Sequence, residues 1–478
     1  MTIADFAEPT SLDPTVSRTF TDRHNFEHLF EPLLHRIPNG KLVGRIAESW
    51  EYLSETQLRL RIRKGLTFHN GEPIDAHAVK YSLDRYRDPA VSTAAGRLAT
   101  VTKVEIVDDH TVDAFTGKPD PVLLGNLADG LFPVPPKDHA SRGAEKFARS
   151  PIGSGPWMFV RWDPGERITA KRHDGFYRGP AKFKELVLRF ISDDSTRVSA
   201  LLADDIDVTR GVPAADVDRV KASNRAAVVS SPSTRSTYIA INYPTHKSVS
   251  DQRVRQALNY SVDHDAMINV VLRGHGYPTG QPCFEGCLGY NPNVKPYSYD
   301  LEKAKQLLKA AGFAPGALKL TLDYPIGQIP NSGDIAQALA AMWQEAGIIV
   351  TLNPKEWGAF WSRLNTKAEN LAELFMMYSN APGSDSSEVM QPYFTTGTRW
   401  NWTNYKNPEI EALIVKAGTM VDPAVREPMY LDLAQRLHDE AVYVFLNQWV
   451  NLYGVRKGLK LIARPDSQIM AYDYLTIE

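Results

Sequence analysis

The stretch DIAQALAAMWQEAGIIVTLN, residues 334–353, carries two patterns in succession. Ile335, Leu339 and Met342 return at helical spacing, so one face of the first part is apolar and an amphipathic helix is predicted. Gly347 ends it, because a residue without Cβ takes the left-handed conformation that closes a helix. The run IIVTL then reads as a buried strand. A helix leading directly into a strand is a unit of an α/β domain, the fold class expected for this chain.

The same signals recur upstream. In YDLEKAKQLLKAAGF (299–313), Asp300 is placed to cap a helix, Leu301, Ala304, Leu307, Leu308 and Ala311 line one face, and Gly312 stops it. In SDQRVRQALNYSVDHDAMINVVL (250–272), Val254, Ala257 and Leu258 form one stripe. Met267, Ile268, Val271 and Leu272 form another, with Asp263 as its cap. These stripes predict core packing. The first half is richer in strands: WEYLSETQLRLRIRKGLTF (50–68) alternates through Leu58, Leu60 and Ile62, and HTVDAFTG (110–117) and KELVLRFI (184–191) read the same way, each with one wet face. The proline-rich FPVPPKDHA (132–140) predicts a loop or linker.

With 478 residues the chain has length for two or three domains of about 150 residues each. Lys plus Arg number 54 against 56 Asp plus Glu, a formal net charge of −2 with no long run of either sign. That excludes a nucleic-acid or anionic-membrane partner held by bulk charge. Hydrophobic residues at 43% and charged residues at 23% describe an ordinary globular protein. No run of about 18 apolar residues is present to span a bilayer. The first apolar alternation begins at Thr2, with no basic and apolar leader ahead of it, so either the protein is cytoplasmic or an export signal has been removed. Two cysteines, Cys283 and Cys287, are too few for a structural zinc site with only His275 nearby, and their spacing is not C-x2-C. A loop disulfide and two free thiols both remain.

PIGSGPW (151–157) sets two glycines around a serine and asks whether it holds a phosphate. A phosphate loop needs a helix starting directly after it, with free N–H groups aimed at the anion. Here Pro156 removes an N–H, and WMFVRW and RITAKRH alternate like two strands, so nucleotide binding is set aside. Hydrolase and metalloprotease signatures are absent too. His24 and His28, four apart, could share a helix face as metal ligands, but no carboxylate stands at metal-site spacing, and they read as surface or packing residues. Asp193, Asp194, Asp204 and Asp205 read as solvated turn and helix-end residues. No enzyme activity, cofactor or metal is expected.

Several stretches together resemble one family: the extracytoplasmic solute-binding proteins of ABC importers in the dipeptide, oligopeptide and nickel group, family 5. They are FAEPTSLDP (6–14), LFEPLLHRIPNGKLVGRIAESWE (29–51), LRLRIRKGLTFHNGEPIDAHAVKYSLDR (58–85) and PIGSGPWMFVRWDPGERITAKRHDGFYRG (151–179). YIAINYPTHKSVSDQRVRQALNYSVDHDAM (238–267), GYNPNVKPYSYDLEKAKQLLKAAGF (289–313) and NWTNYKNPEIEALI (401–414) continue in the family's order. In this resemblance the glycines of 151–157 serve a tight turn that feeds a strand.

The resemblance implies an α/β, two-lobed periplasmic-binding-protein clamshell of type II, similar to cluster C, with an extra domain in the first lobe. Residues 1–30, 150–242 and 446–478 would form domain I, 31–149 the extra domain II, and 243–445 the second lobe, domain III. Hinges are expected near 238–242 and 442–448, with ligand held in the cleft between lobes. The implied function is capture of a small organic solute and delivery to an ABC transporter permease, by a monomer that is periplasmic or tethered outside the membrane. Export makes a Cys283–Cys287 disulfide the expected state.

Peptide-binding members hold the peptide ammonium with an aspartate in the loop that here reads MMYSNAPGSDSSEVMQPYF (376–394). Counted without gaps from Phe394, that position falls on Pro382, and Asp385 matches a different acidic position. A peptide would need Asp385, or another acid, because a buried ammonium without a counter-charge costs several kcal/mol. Trp357, Trp361, Trp400, Trp402 and Tyr405 belong to segments that face the family's cleft, with Trp361 also readable as core packing. Arg399 is a candidate for a ligand carboxylate. In SRTFTD (17–22), Thr19 and Phe20 lie where the family's opening loop meets ligand. The expected ligand is a non-peptide solute (an opine, a glycoside or an aromatic conjugate) or a short peptide. The alternatives are nickel or haem uptake through His24, His28 or His438, and a hydrolase on the same clamshell.

Overall fold

A computed structural model describes residues 1–16, 20–128, 130–366 and 368–478, with Phe20 and Ala368 described by their backbone. The chain divides into two units, residues 1–231 with 451–478 and residues 232–450.

Unit 1 begins with β1 (Thr2–Asp5) and α1 (Phe20–Leu29). An antiparallel sheet follows, built from β2 (Ala47–Ser54), β3 (Gln57–Ile62), β4 (Val101–Asp108) and β5 (Thr111–Thr116) in the order β2-β3-β5-β4. The alternating Leu58, Leu60 and Ile62 are buried, and they pack with Val79 and Leu83 of helix α2 (Ala76–Arg87). Asp75 caps α2 by accepting from Ala78 N at 2.9 Å. The second sheet of the unit uses β6 (Trp157–Asp163), β7 (Arg167–Arg172), β8 (Glu185–Phe190) and β9 (Val208–Arg210). β1 lies between β8 and β9, parallel to both, with Ile3 opposite Leu188 on one side and Val208 on the other. β9 is completed by residues Tyr453–Val455, antiparallel to it. A chain whose first and late residues flank one strand needs both to finish the sheet.

The glycine-serine-glycine loop does feed strand β6, but its glycines answer to close approach. Ser154 N and Gly155 N both donate to Leu29 O, at 3.1 and 2.9 Å, and so satisfy a carbonyl at the C-terminal end of α1. A Cβ on Gly153 would stand 1.9 Å from that oxygen, and one on Gly155 would stand 2.7 Å from the Leu29 carbonyl carbon. Neither glycine has a positive φ. The proline-rich 132–140 differs from its expectation: Pro136–Arg142 is a short helix, with proline in the first turn where a missing N–H costs nothing.

β10 (Ala226–Ile241) contributes residues to both units. Unit 2 continues with α3 (Gln252–Tyr260), α4 (Leu301–Ala310), β11 (Leu318–Ile326), α5 (Ser332–Glu345), β12 (Ile348–Glu356) and α6 (Trp357–Leu364). It ends with β13 (Leu374–Asn380), α7 (Ser387–Phe394), α8 (Pro423–Asp439) and β14 (Tyr443–Arg456), which also reaches back into unit 1. Within unit 2 the strand order is β12-β11-β13-β10-β14. Successive residues of β10 point to opposite faces, so Ile239 and Ile241 enter one core with α5, while Tyr238 and Ala240 enter another with α6, α7 and α8.

The predicted caps are in place, with Asp300 accepting from Lys303 N at 2.9 Å and Asp263 from Ala266 N at 2.9 Å. β12 departs from the expectation of a buried strand. It is an edge strand bonded to β11 alone, and Ile349 is 44% exposed while Ile348 is fully buried. An apolar run does not distinguish a strand covered on two faces from one covered on a single face.

Candidate ligand-binding site

Aromatic residues of unit 2 meet along an arc. It starts at β14 and β10, where Tyr443 and Tyr238 stack at 4.4 Å with their planes 8° apart. Tyr393 of α7 stands edge-on to Tyr238 at 6.4 Å, and Trp402 stands edge-on to Tyr393 at 5.9 Å. Trp361 of α6 follows at 5.8 Å from Trp402, and Trp357, one helical turn earlier, at 5.4 Å from Trp361. Trp400 leans on Tyr393 at 5.8 Å and is 39% exposed. The inner end of the arc is therefore buried, and Trp357, Trp361 and Trp400 keep surface free. Burial raises the phenol pKa of Tyr238, Tyr393 and Tyr443, so these hydroxyls stay protonated and neutral.

Asn401 organises the loop that carries Trp400 and Trp402. Its Nδ2 donates to Tyr405 O at 2.8 Å and Thr395 O at 3.2 Å, and its Oδ1 accepts from Tyr405 N at 2.9 Å. Three bonds to backbone would be lost to water if this side chain were apolar, and the two indoles would lose their placement. Tyr405 itself points away from the arc. It is buried against Phe394 and Tyr243, and its hydroxyl donates to Glu440 Oε2 at 3.0 Å. Arg399 is exposed beside Trp400.

Asp385 is buried beneath the start of α7. It accepts from Ser387 N at 2.9 Å and Ser387 Oγ at 2.7 Å, and both of its oxygens are held by the guanidinium of Arg426 on α8, one at 3.2 Å. The other buried carboxylate described in unit 2, Asp323, lies 3.1 Å from Arg363 Nε and accepts from Asn353 Nδ2 at 2.6 Å. Cys283 and Cys287 form a disulfide behind this region, and Leu288 N donates to Ser384 O at 2.8 Å.

The remaining residues singled out by sequence lie elsewhere. Thr19 falls outside the described residues, and Phe20 begins α1 with its side chain undescribed. His24 and His28 are enclosed in unit 1, with rings 5.2 Å apart, and burial lowers the pKa of both so that they are uncharged. His438 stacks on Tyr297 at 4.3 Å. Among the described residues no group of three or more His, Cys, Asp or Glu is placed to hold a metal ion. Sequence reading assembled Trp357, Trp400 and Trp402 but missed Tyr238, Tyr393 and Tyr443. Alternation within the strands was the available signal for Tyr238 and Tyr443, and it reads equally as core, while Tyr393 lies on helix α7 and had no such signal.

The family description "Bacterial extracellular solute-binding proteins, family 5 Middle" matches residues 41–401, most of the chain. The chain belongs to family 5. The glutathione-binding protein GsiB of Pectobacterium atrosepticum is 25% identical to this family 5 protein over 446 residues, covering 91% of this chain and 86% of that one. The crystal structure of the ABC transporter substrate-binding protein CtaP of Listeria monocytogenes superposes with a TM-score of 0.91 at 21% identity, covering 100% of this chain and 99% of that chain. The periplasmic binding protein AgaA of A. tumefaciens R10, solved in complex with agropinic acid, is 25% identical with a TM-score of 0.80, covering 100% and 98%. The fold is thus that of the two-lobed periplasmic binding proteins, and this family 5 member is the substrate-binding component of an ABC importer. Family 5 proteins deliver their ligands to ABC permeases, and its relatives are binding proteins of the periplasm or cell exterior. No described helix is long and apolar enough to cross a membrane.

Proposed function

We propose that this protein captures a non-peptide organic solute and hands it, chemically unchanged, to its permease. The observation that carries this reading is the state of the acids in unit 2. Asp385 is bound on both oxygens by Arg426, and Asp323 is engaged by Arg363 and Asn353. No other buried carboxylate among the described residues of the unit is left for a ligand ammonium. Taking Asp385 from Arg426 would leave a buried guanidinium uncompensated, at a cost of about 3–5 kcal/mol. A free peptide N-terminus therefore finds no low-cost counter-charge there, whereas the aromatic arc offers flat apolar area to a ring-bearing solute.

The relatives named above take ligands of different chemistry, glutathione and agropinic acid, and the second favours a non-peptide solute here. Native mass spectrometry of the freshly purified protein, followed by denaturation and identification of what is released, tests the reading. A single non-peptide mass is expected. A ladder of peptide masses would overturn it and return Asp385 to the role of ammonium partner.

A further inference from the structure

Three neutral hydrogen-bonding groups of the arc region are buried without a partner among the described residues. They are Ser236 Oγ and Tyr238 OH, whose residues are each 2% exposed, and Trp402 Nε1, whose residue is 8% exposed. Buried polar atoms are almost always bonded to protein, water or ligand, and an unmade bond costs about 1–3 kcal/mol. Three such atoms in one region call for partners beyond the described protein groups.

Their geometry is shared. Ser236 and Tyr238 are two apart on β10 and project from the same face. Tyr238 and Trp402 both pack on Tyr393, at 6.4 and 5.9 Å. Indole N–H donates only, and a neutral phenol and a hydroxyl donate or accept, so the complement must bring acceptor oxygens. A ligand carboxylate at these buried atoms would call for a buried cation; Arg399 beside Trp400 is exposed to water, and the two buried arginines of the unit are engaged. Arg255 donates to Ser250 O at 2.7 Å and Glu440 O at 3.0 Å, and Arg426 holds Asp385. Hydroxyl and ether oxygens on a ring whose C–H face lies against indole meet all of these conditions.

We propose that Ser236, Tyr238 and Trp402 are specificity-determining contacts for a glycosyl or polyol group of the ligand, an assignment that rests on the non-peptide reading above. Ser236→Ala and Tyr238→Phe remove a hydroxyl while keeping the shape and so separate recognition from folding, whereas Trp402→Phe removes a ring packed on Trp361 and Tyr393 together with the N–H. The protein is unfolded in urea and refolded to strip any co-purified solute. Melting temperature is then recorded alone, and binding is measured calorimetrically with cellobiose, sucrose, sorbitol, benzamide and alanyl-alanine as probes.

The wild type is expected to bind at least one of the three hydroxylated probes. Ser236→Ala and Tyr238→Phe are each expected to weaken that binding by about five- to tenfold, because each loses one neutral hydrogen bond, with no fall in the melting temperature of the stripped protein, while Trp402→Phe is expected to weaken binding and lower the melting temperature together. A lowered melting temperature with unchanged affinity would assign the three groups to the fold and overturn the proposal. Binding of benzamide alone would overturn the glycosyl assignment and leave the non-peptide reading standing. Binding of alanyl-alanine alone would overturn both.

Discussion

At the scale of single residues, the decisive pair is Asp385 with Arg426, 41 positions apart in sequence. Asp385 was visible in the sequence as an acid in the right loop, but its partner was not, because nothing local marks which arginine of a later helix folds over it. Truncating Arg426 to alanine leaves a carboxylate buried and uncompensated, and urea unfolding is expected to show a loss of about 3–5 kcal/mol. The double variant Asp385→Asn with Arg426→Met should lose clearly less, since both charges leave together. Equal losses in the two would mean that the pair is not the source of the effect. Trp400 is the opposite case. With 39% of its surface open, Trp400→Ala is expected to cost under about 1 kcal/mol of stability while weakening the solute identified by mass spectrometry about tenfold.

Elements show a sharper division in what could be read beforehand. The helices α4 and α5 were legible because stripe, cap and terminal glycine agree with one another. β12 was legible as a strand but not as an edge, since pairing partners are set by chain segments far away. The loop 151–157 was legible as a turn into β6, yet the reason for its glycines became visible only with α1 against it. Gly153→Ala drives a methyl group into Leu29 O, which a backbone carbonyl cannot evade as a flexible side chain could. A loss of about 3 kcal/mol or more is expected in denaturant melts. Substitution of Gly40, with nothing within 4 Å of its built Cβ, serves as the comparison for strain from positive φ alone. The small loop closed by Cys283 and Cys287 should contribute about 2 kcal/mol, so reduction under native conditions is expected to lower the urea midpoint accordingly.

The whole molecule carries a pH dependence that no single element explains. Burial lowers the pKa of His24, His28, His35, His69 and His264, with His35 brought to about 2 and His69 and His264 to about 4. The unfolded chain takes up these protons near the ordinary histidine value, about 6.5, while the folded chain refuses them until lower pH. Stability from these groups is thus fully present above about pH 6.5 and is lost as pH falls, each histidine adding a slope of up to about 1.4 kcal/mol per pH unit. Glu27 and Glu31, raised by burial, act in the opposite sense because the folded state holds their protons more tightly. Burial lowers the half-buried His173 as well, so two groups stand against six, and the urea midpoint is expected to fall between pH 7 and pH 5. A flat profile over that interval would show these imidazoles to be hydrated. Fold class and family were legible at this scale because many motifs recur in one order. Ser236 and Tyr238 were not, since a serine among the many hydroxyl residues of β10 and a tyrosine at its apolar end carry no local mark of a missing partner.

Strand β9 of unit 1 is bracketed by β1 on one side and by Tyr453–Val455 on the other. On the ribosome these flanks are separated by almost the whole duration of synthesis. Unit 2, residues 232–450, is complete before the final segment 451–478 has been made, while the unit that was started first is finished last. Unit 1 therefore cannot close its sheet until residues 451–478 return to it past the whole of unit 2, a pairing of high sequence separation that local folding alone does not supply.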